Sequence, residues 1–519
     1  MSLITKNTIA NFGGQISNAI LNFLLVPIYI RFMGVESYGL IGFFMSLQAI
    51  LIVLDFGLGA TTTREIARTA AFSEKNGETY KIVRTLEYVY YTLAIAIATM
   101  ICVLSYSIAN KWINNAKLET ITIQLAIIIF GLTLAVRWPI SLYLGVLRGL
   151  ENQVLANLIE TTTVILKGVG AVLVLILISS TITYFLLWQA IIVFCELIFM
   201  RWITWRKLPK SDCRFRSFNV DILKQLWHFS ARVSLISIFA IILKQIDKLI
   251  ISKMLPLHQL GYYTTSSVLV VGIFTFCNPI NVAVYPRLSL LYLKNDMLEL
   301  GNIYRTSSQM VAFLVSPLAS IMFYFAYPIL LFWTNSIDIA ENTHYVLSIL
   351  AMATMINCMM QIPYSLQLSS GLIWIPFWNN FISVLLLAPT TYILILYFGI
   401  IGGPIAWMLF NMLYYLIVPQ VMHRYILKEY LKSWIFNDTL PFMLLSLAII
   451  GVIYLINSHL GNGNFIPMII WIFVGGFIYA TICLIFYKSL RNTIKKFIGT
   501  NKELIFMINH KIKKLRRST

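Results

Sequence analysis

Charge is what this 519-residue chain has least of: Asp, Glu, Lys and Arg together make up 11% of it, where a water-soluble protein carries about 25%. A soluble fold is excluded, because so few charges cannot cover a chain that is 59% apolar. Acidic residues are scarcest, 20 against 39 Lys and Arg, for a net charge of +19. The six cysteines, Cys102, Cys195, Cys213, Cys277, Cys358 and Cys483, show no CxxC or Cys/His spacing, and five fall in apolar runs. Neither a disulfide framework nor a metal site is expected from them. The start, MSLITKNTIANF, lacks the short apolar core and small-residue cleavage site of a secretory signal, so the first span is expected to remain in the protein.

What is present is apolar runs of membrane-crossing length. Windows of about 19 residues place fourteen spans. They lie near 10–30, 38–62, 85–108, 119–146, 154–178, 182–200, 229–252, 262–286, 306–333, 344–366, 375–398, 404–422, 440–457 and 466–487. The fold class is therefore an all-α polytopic membrane protein, about fourteen transmembrane helices in two six-helix lobes plus a C-terminal pair around a central cavity. The expected organisation is an N-terminal lobe over 1–204, a cytoplasmic linker over 205–228 and a C-terminal lobe over 229–424. An appended helix pair over 425–487 and a basic cytoplasmic tail over 488–519 follow.

A basic surface can attract nucleic acid, but here the basic residues report orientation instead, and no nucleic acid is expected as a partner. With the N-terminus cytoplasmic, thirty of the 39 Lys and Arg fall in cytoplasmic segments and five in spans. Only Arg31, Lys111, Lys117 and Lys253 fall outside. That asymmetry obeys the positive-inside rule and puts both termini in the cytoplasm.

Sliding the second half over the first by 222 residues lays FMGVESYGL (Phe32 to Leu40) on MLPLHQLGY (Met254 to Tyr262), matching Gly39 with Gly261. The same offset brings Arg31 onto Lys253 and Asn22 onto Lys244. Six spans per half make such a repeat parallel, an architecture of alternating-access transporters with substrate held between lobes.

In the first span Asn7, Asn11, Gln15, Asn18 and Asn22 recur every three or four residues and so share one narrow helix face, continued by Tyr29. Ser230, Ser234, Ser237, Lys244 and Lys248 repeat the rhythm in the seventh span. Polar groups facing lipid are costly, so two stripes favour a hydrated lumen over lipid exposure, with helix-to-helix hydrogen bonding as the plainer alternative. Nine ionisable residues fall inside spans: Asp55, Arg137, Glu160, Lys167, Glu196, Arg232, Lys244, Asp247 and Lys248. Asp247 shares a face with Lys244 and Lys248, and Glu160 with Lys167; a buried structural ion pair explains each set as well as a functional role does. Arg137 precedes Pro139, which weakens the helix and lets a guanidinium reach a phosphate or a freed carbonyl. Gly57 and Gly59 beside Asp55, in LDFGLGATTTREIAR, fit either a gate or a capped helix end.

The segments NTIANFGGQISNAILNFLLVPIYIRFMGVESYGLIGF, LDFGLGATTTREIAR and QIDKLIISKMLPLHQLGYYTTS resemble the Wzx-type O-antigen flippases of the multidrug/oligosaccharidyl-lipid/polysaccharide superfamily. The resemblance implies a pair of six-span bundles around a lumen. It also implies movement of undecaprenyl-pyrophosphate-linked sugar repeat units from the cytoplasmic to the periplasmic leaflet of the bacterial inner membrane. It implies no enzymatic activity. The implied partners are that lipid-linked oligosaccharide, membrane lipid, a polysaccharide polymerase and a chain-length regulator, and spans 13 and 14 would serve the lipid tail. Substrate-binding candidates are Asn18, Asn22, Arg31, Arg64, Arg137, Lys244 and Lys248. No cofactor is expected; a proton or sodium gradient is the expected drive, with Asp55, Glu160, Glu196 and Asp247 as candidate coupling carboxylates. Two alternatives stay open. A polymerase or ligase on the same lipid carrier would need a large catalytic outer loop, whereas the longest outer loops have only about ten residues. A drug exporter of the same superfamily would favour acidic lumen sites.

Overall fold

The computed structural model describes residues 3–52, 55, 58–70, 76–114, 118–208, 238–460, 465–487 and 490–492. The side chains of residues 3–19 and of Asn22 are among those outside this description. The expectations for Asn7, Asn11, Gln15, Asn18, Asn22, Gly57, Ser230, Arg232, Ser234 and Ser237, for most of the linker and for nearly all of the tail therefore lie outside the described residues.

The described residues form helices: α1 (Leu3–Ile52), α2 (Leu58–Ala70), α3 (Asn76–Ser107), α4 (Thr120–Gly149), α5 (Gln153–Leu177), α6 (Ile182–Lys207), α7 (238–254), α8 (Leu257–Leu293) and α9 (Met297–Tyr324). They continue as α10 (Ala326–Thr334), α11 (Ile337–Met359), α12 (Gln361–Ser369), α13 (Trp374–Phe398), α14 (Gly402–Tyr425), α15 (Tyr430–Ser433), α16 (Leu440–Leu460) and α17 (Phe465–Phe486). No strand forms among them beyond one isolated bridge, Asn114 to Pro256.

Eleven stretches among the described residues are long and apolar enough to cross a membrane. Against the fourteen expected, Phe23–Ile52 and Trp374–Tyr425 each hold two expected spans, and 229–252 lies partly outside the described residues. Both long stretches are broken by a glycine. Gly34 in α1 has φ 81° and ψ 162°, a backbone conformation that costs an L side chain dearly and interrupts the helical ladder.

The chain divides into two compact units. The first comprises Met1–Leu269, Leu330–Val346 and Phe377–Trp407, and the second Val270–Ile329, Leu347–Pro376 and Met408–Thr519.

In the first unit the two segments matched by the 222-residue offset meet. A Cβ on Gly39 would run into the carbonyl oxygen of Leu257, and one on Gly261 into that of Val35; Val35 and Leu257 are themselves 222 apart. Gly42 stands against Thr264, at the same offset again. Such reciprocity is the signature of two like segments related by a two-fold axis, and missing side chains let their backbones touch. Flanking connections repeat the exchange. After α3, the Trp112 indole donates to Ser252 Oγ at 3.1 Å, at the end of α7, while the Trp333 indole at the end of α10 donates to the Phe23 carbonyl of α1 at 3.0 Å. Lys253 reaches the Lys111 carbonyl, and the Tyr262 hydroxyl donates to Asp338 Oδ2 at 2.7 Å. Val26, Ile30, Tyr38, Tyr262 and Ile339 form the apolar seal beneath.

In the second unit α15 to α17 cover one side of α9 from Gly301, under the Tyr430 ring, to Phe325, which packs with Ile450, Ile453 and Met468. At 1.5 Å per residue that face is roughly 36 Å long, the depth of a bilayer core. Ser320 and Ser446 hydroxyls bond across it at 2.8 Å, and the Trp434 indole donates to Ser308 at 3.1 Å. Near one end lies a buried ion pair, Arg305 with Asp438.

Candidate functional site

Helix α4 is the wall on which the first unit's polar interior is built; it packs against α2, α3 and α6. Arg137 sits near its middle, two residues before Pro139, which lies inside the helix. Proline brings no N–H, so the carbonyl one turn back loses its helical donor. Around this point opens a cavity of about 350 Å³, within the range of small-molecule sites. Its lining includes Asp55, Arg137, Trp138, Arg148, Glu160 and Glu196. Asp55, Arg137, Glu160 and Glu196, the first and last 141 positions apart in the sequence, are thereby brought together.

Each carboxylate is anchored differently. Asp55 accepts from the Gly59 N–H at 3.1 Å and from the Tyr90 hydroxyl. Glu160 pairs with Arg148 at 2.9 Å, and Glu196 with Lys167 at 3.5 Å. The second pair is well buried, its side chains 8% and 13% exposed. The face-sharing of Glu160 with Lys167 in α5 does not become an ion pair: seven residues separate them by roughly 10 Å along the axis, beyond direct contact. Both find partners on neighbouring helices instead. Arg137 is exposed to the cavity and lies within electrostatic reach of Glu196 and Lys167, yet it closes no ion pair among the described residues. The Trp138 indole nitrogen is buried without a hydrogen-bond partner.

The other candidates stand elsewhere. Arg31 is exposed three residues before Gly34, and Arg64 is exposed on α2, one residue beyond Thr63 of the cavity wall. Lys244, Asp247 and Lys248 lie on α7 and do not line the cavity. Asp247 is buried and held by the Tyr263 hydroxyl and, at 2.8 Å, by the Lys248 backbone N–H.

Glu87 was not among the residues singled out by sequence, yet it organises one end of the unit. Buried at the start of the α3 span, it accepts from Tyr143 Oη at 2.6 Å, Trp205 Nε1 at 2.9 Å and Arg84 at 2.7 Å, with Arg201 at 3.4 Å. These donors sit on α3, α4 and α6, so one carboxylate ties three helices. Glu87→Leu takes the acceptor from the half-buried Trp205 indole and leaves the buried Tyr143 hydroxyl with Tyr91 alone, and is expected to cost about 2–4 kcal/mol. Glu87→Gln keeps an acceptor and should cost less than half of that. Melting of the purified protein checks the order; equal melting of wild type and Glu87→Leu would refute the tie.

Residues 4–291, more than half of the chain, match the model of a family described as "Polysaccharide biosynthesis protein". A Shigella flexneri protein named "Putative O-antigen transporter" is 19% identical over 412 residues, 78% of this chain and 94% of that one. The fold is similar to that of the lipid II flippase MurJ in its inward closed conformation, with a TM-score of 0.68 at 17% identity over 94% of this chain and 99% of that one. An inward-facing multidrug resistance MATE family transporter of the MOP superfamily gives a TM-score of 0.61 at 14% identity over 81% and 96%. At these identities the likeness is one of fold, and it extends across nearly the whole of both solved chains. The chain is a multi-pass membrane protein with the transporter fold seen in MurJ and the MATE proteins, and it belongs to the polysaccharide biosynthesis protein family.

Proposed function

We infer that the protein is a flippase which carries undecaprenyl-pyrophosphate-linked polysaccharide repeat units from the cytoplasmic to the periplasmic leaflet of a bacterial inner membrane. The observation that carries this reading is Arg137: a cation near the middle of a membrane-spanning helix, exposed to a cavity and closing no ion pair among the described residues. Such a group is expensive in a membrane protein unless it serves a ligand or a pathway. Membership of the polysaccharide biosynthesis protein family supports a polysaccharide precursor as that ligand.

The proposed mechanism is alternating access by the two six-helix lobes, 1–204 and 229–424, with both termini cytoplasmic. In that orientation the reciprocal contact at Gly39 and Gly261 closes the periplasmic side. Arg31, Arg64, Lys244 and Lys248 are the cationic candidates for the headgroup and Arg137 a further substrate-binding cation, with Asn18 and Asn22 solvating sugars, and the polyprenyl tail stays in lipid. No bond breaks; protein groups replace the water that a diphosphate and hydroxyls would otherwise lose. Asp55, Glu160, Glu196 and Asp247 are the candidates for coupling to a proton or sodium gradient, and a polymerase and chain-length regulator would receive the product.

Vesicles reconstituted with the purified protein and a fluorescent undecaprenyl-pyrophosphate oligosaccharide test this. Outside reagent should reach the inner-leaflet label faster with protein than without, and Lys244→Ala with Lys248→Ala should slow the exchange about tenfold, the equivalent of one lost charge-assisted contact. Equal rates with and without protein would overturn the reading.

A further inference from the structure

A diphosphate and a sugar ask opposite things of a protein. Phosphate oxygens only accept hydrogen bonds, whereas every hydroxyl both donates and accepts. The cavity of the first unit is built for the second. Its cation Arg148 is spent on Glu160 and the adjacent Lys167 on Glu196, through one carboxylate oxygen in each case. The other oxygens, Glu160 Oε1 and Glu196 Oε1, form no hydrogen bond among the described residues, which leaves two acceptors on the wall. A donor lines the same cavity, the exposed Arg137 guanidinium. Counting Asp55, the lining holds three carboxylates against two guanidinium groups, so the wall is not cationic. A second diphosphate-like anion would meet like charge there.

We propose that this cavity seats sugar residues of the lipid-linked substrate and that Glu160 and Glu196 make it reject acidic sugars, leaving the diphosphate to cationic groups outside it. The proposal rests on the flippase reading and adds the ligand chemistry of one site. Arg137 donates to ring hydroxyls or an N-acyl carbonyl, while the two carboxylates accept from hydroxyls. A uronic acid in the same place would set a carboxylate against Glu160 and Glu196, an arrangement that discriminates by repulsion.

The test uses the full-length protein in vesicles with two polyprenyl-diphosphate oligosaccharides identical except that one hexose is replaced by its uronic acid. The neutral compound should cross about tenfold faster than the acidic one, and Glu160→Gln with Glu196→Gln should narrow that ratio at least about threefold. Should the double variant fold poorly, Glu160→Gln alone, whose pair is partly exposed, should still narrow it. In detergent, the free neutral oligosaccharide should raise the melting temperature of the wild type more than its uronic counterpart does. If neither lipid crosses, the flippase reading falls with everything built on it. If both cross at one rate, or if the Gln variants leave the ratio untouched, the sugar seat alone is overturned.

Discussion

Gly39→Leu is expected to fold, insert and yet lose the reciprocal contact with the second repeat, cutting transport by tenfold or more. Position 39 faces the backbone of Leu257 and Gly261 rather than a side chain that could rotate away. Any Cβ there must drive two helices apart. Overpacking of this kind costs about 1–3 kcal/mol, and because it is felt only where the contact is closed, it lowers that state's population roughly five- to hundredfold. Thr264, buried beside Gly42, reports the change: a cysteine at 264 should resist a polar thiol reagent in the parent and react in Gly39→Leu. Gly272→Leu is the control, since a Cβ there meets nothing within 4 Å. Equal protection of Cys at 264 in both backgrounds would show that the glycine contact does not hold that end shut.

Arg305→Ala should be the most destabilising substitution in the second unit. Asp438 is completely buried, takes Arg305 Nε at 2.9 Å and a terminal guanidinium nitrogen at 3.1 Å, and receives the Gln309 amide at 2.6 Å. Removing the arginine strands a carboxylate with a single amide donor. The usual 3–5 kcal/mol for orphaning one member of a buried pair falls to about 2–4 kcal/mol here because Arg305 is itself about a third exposed. Asp438→Asn removes the charge along with its need for a partner, keeps the acceptor and should cost about 1–2 kcal/mol. The asymmetry is diagnostic. Denaturant melts of the two variants should show Arg305→Ala as the weaker protein. The opposite order would mean that the pair is no more than a surface contact.

Much of this fold was legible because membrane insertion writes itself in long apolar windows, and the expected spans left gaps at 31–37 and 399–403, where Gly34 and Gly399 break the helices. The 222-residue offset found its counterpart in the Gly39 and Gly261 contact because close backbone approach forces the residue type at both places. The cavity was legible only as a set of unassembled charges. Asp55, Arg137, Glu160 and Glu196 stood out because a membrane span tolerates few ionisable groups, but helical periodicity reports only partners on the same helix. It therefore paired Glu160 with Lys167, when the partners that matter, Arg148 and Glu196, come from α4 and α6. Glu87 and Asp438 escaped for another reason: both stand within two or three residues of an expected span end, where a charge reads as interfacial. Only tertiary packing shows that one holds three helices and the other docks an appended pair.

Position 42 offers the most direct measurement. A Cβ built there lies 2.9 Å from that of Thr264, and a modest relaxation brings the pair into the 3.5–4.5 Å range of a disulfide. In a chain whose native cysteines are replaced, Gly42→Cys with Thr264→Cys should stop movement of lipid-linked oligosaccharide across vesicles when oxidised and restore it on reduction. Undiminished movement through the oxidised protein would mean that the two repeats never part there, and transport by their separation would be wrong.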